Sequence, residues 1–133
     1  MDIRDIEGIG EADAKKLNNL GVKNIDDLLE KGGTPKERKE LAAATGLTEN
    51  QILEWVNRAD LRRVKGIGSE YADLLETAGV GTVAELAQRN AEFLAERLRA
   101  VNQVKRIIPY VPGTQLIEEW IWRAKSLPKA VEY

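Results

Sequence analysis

The stretch RRVKGIGSEYADLLETAGV, residues 62–80, contains four residues, Lys-Gly-Ile-Gly at 65–68, that do not suit the interior of a helix or a strand. Glycines on either side of an isoleucine allow backbone conformations that a β-carbon would resist, and they let another backbone approach closely. We therefore expect a tight turn here, between a short helix around residues 61–64 and a helix over 69–78. Ile67 should be buried between the two helices, which would leave a row of backbone amides exposed.

The pattern occurs twice in the chain. Placing the segment from Asp2 over the segment from Asp60 gives an ungapped match at an offset of 58 residues. The matching apolar and glycine positions are Ile6, Gly8, Ile9, Gly10, Ala14, Leu17, Gly21, Val22, Ile25 and Leu28, which fall on Val64, Gly66, Ile67, Gly68, Ala72, Leu75, Gly79, Val80, Val83 and Leu86. Such self-similarity predicts a duplicated structural unit.

The later parts of the two copies agree at a different offset. ILEWVNRA, from Ile52, resembles IEEWIWRA, from Ile117, at an offset of 65, so the second copy carries seven extra residues. We place the surplus in an enlarged loop at residues 102–113, where prolines and a glycine interrupt the helical pattern. The predicted units are residues 1–59 and 60–133, packed into one compact body through a shared apolar seam.

Helix-start signals recur along the chain. Thr34 is followed by proline and, three residues on, by glutamate, which is the spacing of a capping box. Thr48 and Thr82 have a glutamine or glutamate at the same spacing, and Asn24 and Asn90 are simpler N-caps. No segment alternates as a strand would. The sequence therefore predicts an all-α fold.

The turn at 65–68 also has features of an anion-binding site. Its amides and the unpaired N–H groups at the start of the next helix would form a positive concavity for a phosphate oxygen. An apolar residue, any residue, then Gly-Ile-Gly with alanine four positions later resembles the helix-hairpin-helix motif of proteins that bind DNA without reading its sequence. The resemblance implies contacts to backbone phosphates, which give affinity but little specificity.

The resemblance extends over nearly the whole chain. Both Gly-Ile-Gly turns, the junction EWVNRADLRRVKGIGSEYADLLETAGV and the closing WIWRAKSLPKAVEY together resemble a bacterial family known as domain of unknown function 4332. Membership implies a tandem helix-hairpin-helix architecture, and it implies no assigned reaction.

Charge distinguishes the two copies. Residues 1–60 carry 9 Lys or Arg and 13 Asp or Glu, whereas residues 61–133 carry 11 and 9. Arg62, Arg63 and Lys65 flank the second turn, and Glu7 and Glu11 flank the first. Because acids at the mouth of an anion pocket repel phosphate, only the second turn is predicted to bind DNA.

The candidate residues follow from this difference. The nucleic-acid-binding set is Arg62, Arg63, Lys65, Gly66, Ile67, Gly68 and Ser69, and the purely structural set is Gly8, Ile9 and Gly10. We expect Arg63 and Lys65 to be exposed and the amides of Ile67, Gly68 and Ser69 to orient the phosphate. Replacing Gly68 should damage the turn. A second basic cluster comprises Arg97, Arg99, Lys105 and Arg106.

Composition narrows the function classes. The chain of 133 residues has no cysteine and no histidine, so disulfides, thiolate chemistry, the usual zinc sites and imidazole catalysis are absent. We expect no enzyme activity, no cofactor and no metal. No apolar run has membrane-spanning length and no leader is evident, so a cytoplasmic protein without membrane contact is predicted.

Two alternatives stay open. The tryptophans, Trp55, Trp120 and Trp122, could stack on bases, but their helical spacing and recurrence favour packing, with Trp122 partly exposed. The net charge of −2 favours a protein-interaction adaptor in which both turns are structural. The partner is therefore DNA or a protein, and the oligomeric state is open.

Overall fold

A computed structural model describes residues 2–133, and the regular secondary structure within that range is helical. A 3-10 turn at Ile3–Asp5 precedes the α-helices. Their bounds are α1 Glu11–Asn19, α2 Ile25–Gly32, α3 Pro35–Thr45, α4 Glu49–Leu61, α5 Ser69–Thr77, α6 Val83–Ala87, α7 Ala91–Lys105 and α8 Thr114–Ala124. The described residues contain no strand, so the all-α prediction is confirmed.

Side-chain caps start five of these helices where the sequence predicts them. Thr34 and Glu37 form a complete capping box at α3. The remaining caps are Asn24 at α2, Thr48 at α4, Thr82 at α6 and Asn90 at α7, each accepting a hydrogen bond from the amide three residues on. By contrast, α1, α5 and α8 begin at glycines with no side-chain cap.

The apolar side chains form two separate clusters. One contains residues from Ile3 to Ala59 together with Val131, and the other contains residues from Leu61 to Ala124. Helix α4 contributes to both, since Trp55 lies in the first and Leu61 in the second. We call the regions around these clusters the first and second halves.

Polar contacts join the halves, so the expectation of a shared apolar seam is wrong. Arg58 of α4 pairs with Asp73 of α5 at 3.1 Å, and the Asp60 carboxylate accepts from the Val83 amide at 2.8 Å. Arg62 donates to the carbonyl of Asp5. The side chains on this side of α4 are polar, and they therefore bond across the junction instead of extending an apolar core.

The chain after α8 returns to the first half as an extended strap, residues 125–133. Val131 is buried in the first cluster, and the Glu132 amide donates to the Gly33 carbonyl at 2.8 Å. The buried guanidinium of Arg38 donates to the carbonyls of Gly32 and Glu132. At the end of the strap, the Tyr133 hydroxyl donates to Glu85.

The insertion in the second copy is shorter as a loop than predicted. Helix α7 continues to Lys105, so residues 102–105 are helical and the irregular part is 106–113. Asn102 explains the path, because its side chain accepts from the amides of Ile107 and Ile108 and donates to the Ile108 carbonyl. Arg106 ends the helix in the left-handed region, at φ 50°.

Candidate nucleic-acid interface

The Gly66 turn, residues 65–68, links the end of α4 to the start of α5. Gly66 has φ 99°, in the region that glycine adopts most readily. The short helix predicted around 61–64 is absent: Leu61 is the last residue of the long α4, and the backbone at 62–66 is irregular. Ile67 is buried, as expected, with 3% of its surface exposed.

The Gly8 turn, residues 7–10, repeats these backbone features. Gly8 has φ 96°, and Ile9 is buried. The Ile9 amide donates to Ile6 at 3.2 Å, as the Ile67 amide donates to Val64 at 3.0 Å. Gly10 and Gly68 each begin a nine-residue helix. The two turns therefore share one backbone path.

A tryptophan and an arginine support each turn from below. A β-carbon added at Gly66 would lie 3.3 Å from both Trp120 Nε1 and Arg123 Nη1. At Gly8 the nearest atom would be Trp55 Nε1, at 3.2 Å. Arg123 also donates to the Lys65 carbonyl at 2.8 Å, which fixes the top of the Gly66 turn.

Sequence reasoning passed over Arg123. A signal was present, because an arginine follows the tryptophan by three positions in both copies, and residues three apart share a helical face. The matching Arg58 lies farther from its turn, 4.0 Å from a β-carbon added at Gly8, and it pairs with Asp73 and Glu76 in α5. The two arginines therefore have different tasks.

The start of α5 offers fewer amides than predicted. The Ile67 amide is not available to a ligand, since it closes the turn by donating to Val64. Gly68 and Ser69 follow at the uncapped start of the helix, where first-turn N–H groups have no intrahelical acceptor. Gly68 is exposed, and a β-carbon added there would meet nothing within 4 Å, so the surface at the start of the helix is uncrowded.

The conformation of the turn does not depend on Gly68, so the expectation that replacing Gly68 damages the turn is wrong. Its backbone is extended, at φ −93° and ψ −169°, and any residue adopts that conformation. The positive φ and the crowding both fall on Gly66. Gly66 therefore shapes the turn, and Gly68 leaves it accessible.

The predicted cations differ in exposure. Lys65 is exposed beside the turn. Arg63 is not, because it pairs with Asp60 at 2.8 Å and donates to the Pro128 carbonyl of the strap, with 18% of its side chain exposed. Arg62 is half-buried and donates to Asp5 across the junction. The expectation of an exposed Arg63 is therefore wrong, since Asp60 and the strap hold it.

Acidic side chains surround the Gly8 turn as predicted. Glu7 and Glu11 are both exposed. The nearby Arg4 pairs with Asp2 at 3.0 Å, and this hydrogen-bonded pair lowers the pKa of the Asp2 carboxyl. Arg4 is therefore engaged by its own neighbour, Asp2.

Arg97 of the second basic cluster and the nearby Arg89 lie at the far end of α5 from the Gly66 turn. Arg97 donates to the Ala78 carbonyl at 2.6 Å, and Arg89 donates to the Gly79 carbonyl at 3.3 Å, both just beyond the end of α5. Nine helical residues separate the two ends of α5, a length of about 13 Å. These arginines complement the negative end of that helix.

The tryptophans divide as the packing interpretation predicts. Trp55 and Trp120 are buried, with 1% and 0% of their surfaces exposed. Trp122 is 76% exposed on the outer face of α8. Among residues 2–133, no group of three or more acidic side chains is arranged to hold a metal ion. Nor does any helix in this range have the length and apolarity needed to cross a membrane.

The sequence profile described as domain of unknown function (DUF4332) matches residues 7–127, and the chain belongs to this family. The suspected family is thereby confirmed. Neither a curated protein nor a solved structure matches the chain significantly.

Proposed function

We propose that the chain is a non-enzymatic tandem helix-hairpin-helix module, with units at residues 1–59 and 60–133, that binds the DNA backbone through the Gly66 turn. Binding is weak and independent of base sequence, and the module acts in the cytoplasm. The observation that carries the proposal is the open start of α5, where uncapped amides lie beside the exposed Lys65.

The chemistry of this site favours a phosphate. Amides at a helix start attract an anion because the helix dipole and the unpaired N–H groups act together. Lys65 adds a flexible positive charge, and the neighbouring Gly68 presents no side chain that would keep a phosphate away from the backbone. Such contacts do not distinguish one base pair from another.

The number of available cations sets the strength. Since Arg62 and Arg63 are held by contacts within the fold and Lys65 is the exposed cation of the predicted set, we expect about one to two phosphates to be neutralised, so that affinity falls roughly as the first to second power of salt concentration. Binding should be micromolar at best near physiological salt.

The test replaces one exposed lysine at a time. Lys65→Glu should weaken binding to labelled duplex DNA in fluorescence anisotropy and lower the salt slope by about one, because one phosphate contact is lost. Lys39→Glu is the matched control, since Lys39 is equally an exposed lysine but lies on α3 in the first half. It changes the net charge by the same amount and should leave the slope unaltered.

Two outcomes would overturn the proposal. One is a wild-type protein that binds neither duplex, single-stranded nor branched DNA at low salt. The other is an equal loss of affinity in both lysine variants, which would indicate a general charge effect. Circular dichroism of each variant checks that the helices are intact.

The alternative is a protein-interaction adaptor. Exposed apolar side chains on α7 favour it, since Phe93 and Val104 are 72% and 79% exposed. In that case both turns serve as corners of the fold. Loss of partner binding on substitution of these two residues, with no DNA binding by the wild type, would favour the adaptor.

A further inference from the structure

Trp122 borders a concavity that the proposed phosphate site does not use. The concavity has a volume of about 340 Å³ and lies between the start of α7 and the end of α8. We call it the Trp122 concavity, and its side chains include Arg89, Glu118, Ile121, Trp122 and Lys125. Two cations and one anion give it a net positive charge.

The indole of Trp122 is not part of the hydrophobic core. The buried tryptophan of α8 is Trp120, which supports the Gly66 turn and stacks at a tilt on Tyr71, with ring centroids 4.9 Å apart. Trp122 follows two positions later, on the opposite side of the helix, and 76% of its surface is exposed. Tryptophan is enriched at binding interfaces, since its ring offers a large apolar face and its N–H a polar contact.

The cations beside the ring define the kind of ligand. Lys125 is exposed at the end of α8. Arg89 is exposed and donates one hydrogen bond, to the Gly79 carbonyl, out of the five N–H groups of a guanidinium. An aromatic platform flanked by positive charge suits a nucleotide, whose base has a π-face and whose phosphate is an anion.

The position of Trp122 connects it to the Gly66 turn. The next residue, Arg123, donates to the Lys65 carbonyl, and Trp122 and Arg123 line a second concavity of about 500 Å³. Arg123 therefore contacts the Gly66 turn and borders the same concavity as the exposed indole.

We infer that the Trp122 concavity binds an unpaired nucleotide of single-stranded DNA, with its base on the indole and its phosphate near Arg89 and Lys125. The inference rests on the proposed function for its class of ligand, a nucleic acid. It adds the preferred form of the DNA, which is a duplex with a single-stranded extension.

Intrinsic fluorescence gives a direct readout, since Trp122 is exposed while Trp55 and Trp120 are buried. A short oligothymidylate should quench the wild-type emission and protect it from acrylamide. Trp122→Phe should abolish this response while keeping an aromatic ring and leaving the two buried tryptophans as an internal reference.

Affinity is measured by anisotropy on a blunt duplex and on the same duplex with an oligothymidylate tail. The wild type should prefer the tailed duplex, and Trp122→Ala should remove at least about a fivefold preference, the lower end expected for losing one stacked base. Lys125→Glu should reduce it as well. Tyr110→Ala is the control, because Tyr110 is 85% exposed but lies in the 106–113 loop before the start of α8.

The outcomes separate the two proposals. If a blunt duplex binds through Lys65 but the tail adds nothing, or if Trp122→Ala keeps the preference, the inference is overturned and the proposed function stands. If oligothymidylate binds through Trp122 while Lys65→Glu has no effect on duplex, the proposed function fails and the inference stands. Quenching by oligolysine instead of oligothymidylate would assign the indole to a basic peptide, held by Glu118 and Glu119 of the second concavity, and would also overturn it.

Discussion

Two glycines of one turn have opposite roles. Gly66 needs its positive φ and has two side-chain nitrogens 3.3 Å from where a β-carbon would be. Gly68 has ordinary extended backbone and open space around it. The sequence Gly-Ile-Gly does not distinguish these roles, because the distinction depends on Trp120 and Arg123, more than fifty residues further along the chain.

The two glycines should differ in how much their substitution changes the free energy of unfolding. We expect Gly66→Ala to destabilise the protein by about 1–3 kcal/mol, from the strained φ and the close contacts. Gly68→Ala should change the stability by less than about 1 kcal/mol, since the restriction of the unfolded chain is opposed by the weaker N-capping of α5 by alanine. Urea denaturation measures both.

Gly46 supplies the control for Gly66. It has φ 78° at the end of α3, and a β-carbon there would meet nothing within 4 Å. Gly46→Ala therefore reports the backbone strain alone. If Gly66→Ala costs no more than Gly46→Ala, the contacts with Trp120 and Arg123 do not crowd the turn.

Between helices, charged side chains decide how α4 meets α5. Arg58 of α4 lies 3.1 Å from Asp73 and 3.4 Å from Glu76 of α5. Burial raises the pKa of the Glu76 carboxyl, and the attraction of Arg58 offsets this only in part. The contact between the two helices should therefore respond to pH.

The direction of this pH dependence follows from the protons that Glu76 binds in the folded and unfolded states. With its pKa raised above the ordinary value of 4.5, Glu76 holds its proton in the folded state at pH values where the unfolded chain has released it. Its contribution to stability is therefore present at low pH and lost as pH rises above about 4.5. Glu76→Gln lacks this dependence.

Urea denaturation of wild type and Glu76→Gln across acidic pH gives the comparison. The wild type should lose stability relative to the variant as pH rises. Asp73 remains as a partner of Arg58 in both proteins. A relative gain by the wild type with rising pH would mean that Arg58 lowers the pKa of Glu76 more than burial raises it.

The sequence predicted helices better than it predicted contacts. Thr34, Thr48 and Thr82 act on amides three residues away, so the caps that they form are local and were predicted correctly. Arg63 was assigned to a phosphate although its ion-pair partner Asp60 lies only three residues away, and its second partner, the Pro128 carbonyl, lies 65 residues along the chain. A helix cap that forms within three residues can be predicted from the sequence, whereas a hydrogen bond to a carbonyl of the strap cannot.

Across the whole molecule, the strap compensates for the lack of a common core. The halves have separate apolar clusters, and residues 125–133 carry Val131 from the end of the second half into the first. Arg38 holds this connection by donating to the carbonyls of Gly32 and Glu132 while only 4% exposed. A buried guanidinium with two carbonyl partners is costly to replace.

We expect Arg38→Met to destabilise the protein by about 1–3 kcal/mol, because it leaves buried carbonyls without a donor. Lys39→Met is the matched control, since Lys39 is the exposed neighbour on the same helix. The two variants are compared by urea denaturation. Equal stability of the two would show that the strap contributes little to the junction.

The strap also bears on the order in which the chain folds. The contact between Arg38 and Glu132 joins residues 94 apart, whereas the caps and the glycine turns form within a few residues. Closing so long a loop costs entropy that only pre-formed surfaces can repay. We therefore expect the strap to dock after the rest of both clusters has formed and to detach before either opens, so the Glu132 amide should exchange with deuterium sooner than the amides of α4.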